Sequence, residues 1–112
     1  MHIRKLLVAL LMTLSLSATA DFITTEEGYE VALSDMTVPV TSTGSLVFKE
    51  CEDCDAKSIR MSRNTRFIVG GRTVELQEFR KQVFQVRDRS KVPVTIMHHL
   101  ESDTIVSVSV NL

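Results

Sequence analysis

Gly70-Gly71 separates two β-rich runs, Thr65 to Val69 and Arg72 to Leu76. A two-residue hairpin turn needs positive φ at its central residues, which glycine adopts without steric cost. The turn predicts that Val69 faces Arg72, Phe67 faces Val74 and Thr65 faces Leu76. Just upstream, Ser62-Arg63-Asn64 reads as a three-residue turn, because asparagine tolerates the left-handed conformation such a loop requires at its end. It predicts Met61 opposite Thr65 and Ile59 opposite Phe67. Together the two turns make Lys57 to Leu76 a three-stranded antiparallel meander. Side chains alternate across a strand, so Ile59, Phe67, Val69, Val74 and Leu76 share one apolar face. The outer face then carries Arg60 opposite Arg66, with Glu75 beyond.

The remaining segments extend the same pattern. Tyr29 to Leu33, Thr37 to Val40 and Ser45 to Lys49 read as strands, and Pro39 confines the second to a sheet edge or a bulge. Leu76, Phe79, Arg80 and Val83 recur at helical spacing, which predicts a short helix from about Glu75 to Phe84. Val92, Val94 and Ile96 alternate on one strand and Val106, Val108 and Val110 on another. Around the loop His99 to Asp103 they form a second hairpin that sets Ile96 against Val106, Val94 against Val108 and Thr104 against His98. The strand ending at Lys49 is expected to pair with the one starting at Lys57. The fold class is mainly β. It is either a small antiparallel β-sandwich or a partly open barrel, of about seven short strands with one short helix.

The first 20 residues have another character. Arg4 and Lys5 precede an apolar run from Leu6 to Leu16, and Ala18-Thr19-Ala20 has the small-x-small pattern of a processing site. We expect residues 1–20 to be a signal peptide cleaved after Ala20, and residues 21–112 to form a single β-rich domain that is periplasmic or secreted. The apolar run falls short of the roughly 20 residues a spanning helix needs. No second run long enough to span follows it, so no transmembrane segment is expected after cleavage.

Charge is unevenly spread. From Asp21 to Asp55 there are nine acids and one base, and from Ala56 to Lys91 ten bases and three acids. The whole chain has a net charge of −1. That balance gives no case for nucleic acid as a partner. The asymmetry can mark an interaction surface or halves that neutralise each other in the fold.

Cys51-Glu-Asp-Cys54 holds both cysteines of the chain. In an exported protein the pair is expected to form one local disulfide. A reactive thiol needs a helix N-terminus or a cation beside it. Here Glu50, Glu52 and Asp53 surround the sulfurs, and carboxylates raise a thiol's pKa. As metal ligands, Cys51, Cys54, His98 and His99 are weak candidates: a lone CxxC is half of a zinc site, and consecutive histidines on a strand point to opposite faces. Met97 is a further soft donor. There is no nucleophile elbow and no glycine-rich phosphate loop. We expect no cofactor and no enzymatic activity. Arg60, Arg63 and Arg66 are the candidate contacts to an anionic partner, which would be a protein or a cell-envelope component. The functional expectation is an exported binding or interaction module. The alternative is a periplasmic metal-binding or thiol-redox protein that uses the CxxC.

Overall fold

The computed structural model describes residues 25–112. The expected leader and its cleavage after Ala20 lie outside the described residues. Eight strands follow in chain order: β1 (Glu26–Ala32), β2 (Met36–Thr37), β3 (Ser45–Phe48), β4 (Lys57–Arg60), β5 (Arg66–Val69), β6 (Arg72–Val74), β7 (Pro93–His99) and β8 (Thr104–Val110), with one helix, α1 (Leu76–Phe84), between β6 and β7. The protein is mainly β, as the alternating pattern requires.

All eight strands belong to one sheet. Its main path is β1-β7-β8-β4-β3-β2, and β5 joins β8 on one side and β6 on the other. Tyr29 on β1 and Phe48 on β3 lie far apart along that path, yet their ring centroids are 5.1 Å apart. The sheet therefore curls around its own apolar face, without closing into a barrel. Helix α1 covers part of that face through Phe79, whose ring lies 5.2 Å from that of Phe67 on β5. Phe48, Phe79, Leu33, Leu46, Ile96 and Val108 are fully buried there.

Several expected pairings hold. β5 and β6 pair with Phe67 opposite Val74 and Val69 opposite Arg72. Gly70 and Gly71 make the turn with φ of 56° and 82°. β3 pairs antiparallel with β4, Leu46 opposite Ile59. The expected strand Thr37 to Val40 is strand at Thr37 alone: β2 is Met36–Thr37, and the segment carrying Pro39 lies beyond it, next to the strand that ends the sheet path. The helix begins at Leu76 rather than Glu75, which is its N-cap. That ends β6 at Val74 and leaves Thr65 without the expected partner Leu76.

Two pairings differ. β4 and β5 do not form a hairpin, and both run parallel to β8, with Arg60 beside Thr104 and Phe67 beside Val108. Ser62 to Asn64 is a jog between two strands that keep one direction. Thr65 fixes it: its hydroxyl accepts from Ser62 N at 3.0 Å and donates to the Ile105 carbonyl at 2.6 Å. Ile59 therefore faces Leu46 rather than Phe67, and the sheet is mixed rather than wholly antiparallel. Alternation correctly assigns Ile59, Met61 and Phe67 to the buried face. The neighbour of each strand is a separate matter, since β3 offers β4 an equally apolar face.

The C-terminal hairpin is also shifted. Ile96 faces Val108, Val94 faces Val110, His98 faces Ile105 and His99 faces Thr104, with a bulge at Met97/His98. The turn is tighter than expected because Asp103 adopts φ 53°, a conformation aspartate tolerates better than most residues. The bulge then lets β8 carry one residue more than β7 and restores the apolar register.

Candidate functional site

The acidic loop between β3 and β4 holds the cysteines. Cys54 N donates to the Cys51 carbonyl at 3.2 Å, and the two sulfurs lie at disulfide distance with Cα atoms 5.0 Å apart. Cys51 is exposed and Cys54 half-buried. No helix starts beside them: α1 begins at Leu76, beyond three further strands. The loop is tied to the sheet by Glu50, whose carboxylate meets Lys57 Nζ at 3.3 Å.

Lys57 leads into a polar cluster that the sequence did not reveal. Its ammonium lies 4.5 Å from the centroid of the Tyr29 ring. The hydrogen bond to Glu50 raises the Lys57 pKa, helped by the charges of Tyr29 and Glu50, against the opposing effect of desolvation. Burial pushes the Tyr29 hydroxyl up, a hydrogen bond with Glu27 adds to this, and Lys57 pulls the other way.

His98 also stacks on Tyr29, with ring centroids 6.3 Å apart. It is buried, and its Nε2 lies 2.7 Å from Asp103 Oδ1. The expected pairing of His98 with Thr104 is not made. Thr104 instead shares a 2.7 Å hydrogen bond with Ser102, because the shifted register moves Thr104 opposite His99. Nδ1 of His98 is buried without a hydrogen-bond partner among the described residues. The spacing of His98 and Asp103 across a hairpin loop is the one sequence trace of this contact. His99 turns elsewhere, with Nδ1 2.9 Å from Ser102 Oγ. The two histidines thus hold separate partners. Among the described residues no three of histidine, cysteine, aspartate and glutamate come together as a metal-binding group.

The arginines lie along the flank of β8. Arg60 ends β4 beside Thr104, Arg66 begins β5 beside Ser107, and Arg63 sits in the jog between them. All three are exposed. The expected opposition of Arg60 and Arg66 is absent, because their strands follow one another rather than pair. Of the acidic run Glu50 to Asp55 that precedes them, Glu50 is engaged by Lys57. None of the three arginines has an ion-pair partner among the described residues. Beside Arg63 lies a hollow of about 420 Å³, lined also by Ser42, Ser62, Thr73 and Glu75. The arrangement sets guanidinium groups beside hydroxyls and one carboxylate.

No family model, curated protein or solved structure matches the chain.

Proposed function

We propose that this protein is an exported, non-enzymatic binding module whose partner carries anionic groups, and that Arg60, Arg63 and Arg66 contact them. The observation that carries the reading is the row of exposed guanidinium groups along β8 with no carboxylate partner among the described residues. Guanidinium groups favour bidentate bonding to carboxylate and phosphate. Three exposed ones on one flank, unpaired among the described residues, are a ready contact for such groups. The leader supports export, and the partner class is a protein or a cell-envelope component.

The test is capture of partners from the native cell envelope by the wild-type protein and by Arg60→Ala, with washes of rising salt. Arg60 is exposed, so the substitution should leave the melting temperature nearly unchanged. Partner retention should be salt-sensitive in the wild type and lost in the variant. Retention by Arg60→Ala at wild-type salt sensitivity would remove the arginine row from the account.

The second reading keeps Cys51 and Cys54 as a redox or metal pair and draws on their disulfide distance. Free-thiol counting on protein taken from the exported compartment separates the two. A stably closed bridge removes the metal role and weakens the redox one.

A further inference from the structure

A second surface lies away from the arginine row. Between α1 and the segment from β2 to Val40 runs a groove of about 550 Å³. Its floor is apolar, formed in part by Met36 and Val83, both buried. Its rim carries the two most exposed large apolar side chains among the described residues, Phe84 at 70 % and Val40 at 62 % exposure. Elsewhere on α1 the apolar residues Phe79 and Val83 face the core. Phe84 falls off that stripe, and solvation alone gives no reason for an aromatic there.

The groove is built rather than loose. Gln77 Nε2 donates to the Val40 carbonyl at 3.0 Å and ties the helix to the far wall. Arg89 lies 5.8 Å from the Phe84 ring centroid and backs its face. Arg80 and Arg89 both line the groove, and no carboxylate among the described residues does. Nε of Arg89 is buried with no hydrogen-bond partner among the described residues. β2 ends the sheet path and pairs with β3 alone among the described residues, so one side of its backbone has no neighbouring strand among them.

We infer that this groove receives an extended peptide segment of a partner protein, with a large apolar side chain seated between Val40 and Phe84 and an adjacent carboxylate held by Arg80 and Arg89. Charge decides the chemistry of the occupant: two guanidinium groups beside an apolar floor, with no acid among the described residues to neutralise them, select an acidic-apolar sequence over a basic one. The unpaired side of β2 favours an extended backbone, since peptides commonly add to sheet edges. An aromatic and an arginine together are the usual anchors of such contacts. The inference is independent of Arg60, Arg63 and Arg66.

The experiment is fluorescence anisotropy of the full chain with capped, labelled peptides that carry a phenylalanine or leucine flanked by aspartates, against the same peptides flanked by lysines. The aspartate peptides should bind in a salt-sensitive way and the lysine peptides should not. Phe84→Ser should weaken binding at least about tenfold with an unchanged melting temperature. Arg89→Gln should erase the preference for aspartate over lysine. Arg60→Ala should leave peptide binding intact, which separates this surface from the arginine row. Equal binding of both peptide sets, no binding by either, or wild-type affinity in Phe84→Ser would overturn the inference. Two other occupants would also overturn it. One is a second copy, seen as a dimer in sedimentation that Phe84→Ser dissolves. The other is a lipid surface, seen as Phe84-dependent binding to phosphatidylglycerol vesicles that displaces the peptide.

Discussion

Gly44 shows how one residue can be fixed by its neighbour rather than by its own backbone. A Cβ built there would stand 2.6 Å from Cβ of Pro39 and 3.3 Å from the Thr41 carbonyl. Both obstacles are rigid, so Gly44→Ala should destabilise by about 1–3 kcal/mol, the usual cost of overpacking, as a denaturant melt would report. A cost near zero would mean that the 39–44 turn moves aside freely. Tyr29 gives a second prediction at this scale. Its pKa and that of Lys57 are both raised in the folded protein. A raised pKa means that the folded state holds the proton more tightly. The stability linked to it is complete below the unfolded value, roughly pH 10, and is lost as pH rises through the folded value. Melting temperature should therefore fall above about pH 10, and less steeply in Tyr29→Phe. Tyr29 is the chain's single tyrosine, so tyrosinate absorbance follows it alone. A folded-state midpoint at or below the ordinary value would contradict the burial argument. Apart from the short spacing of His98 and Asp103, this cluster was not legible in advance, because Tyr29 and Lys57 meet only when β1 and β4 curl together.

The elements were legible where a local signal fixed them. Gly70-Gly71 determines the register of β5 and β6, and the 3–4 spacing of Leu76, Phe79 and Val83 determines α1. β3 and β4 pair as their alternation and the loop between them require. The failures share one cause. Period-2 alternation says which face a residue occupies but not which strand lies beside it, so Ser62 to Asn64 passed for a hairpin turn. In the C-terminal hairpin a bulge at Met97/His98 breaks the counting that aligns valines with valines. Phe84, off the helix stripe, was the available pointer to the groove. The β3–β4 loop also carries a prediction. Its cysteines enclose so short a segment that Cys51→Ser should cost about 2 kcal/mol or less and leave β3 and β4 paired. Loss of folding, read by circular dichroism, would show that the bridge supports more than its own loop.

At the scale of the whole molecule, β8 is the strand on which the others depend. It pairs antiparallel with β7 on one side and parallel with both β4 and β5 on the other. The arginine row follows from that arrangement, since two consecutive strands of one direction set Arg60, Arg63 and Arg66 along a single flank. Had β4 and β5 paired with each other, Arg60 would oppose Arg66, and like charges opposed across strands are unfavourable. The parallel placement avoids that repulsion and leaves each guanidinium available to a partner. Cross-strand nuclear Overhauser contacts in a labelled sample test this most directly. The parallel placement of β4 and β5 on β8 predicts backbone contacts between Phe67 and Val108 and between Arg60 and Thr104, with none between Ile59 and Phe67. Contacts pairing Ile59 with Phe67 and Met61 with Thr65 would restore the hairpin and dissolve both the β8-centred fold and the arginine row built on it.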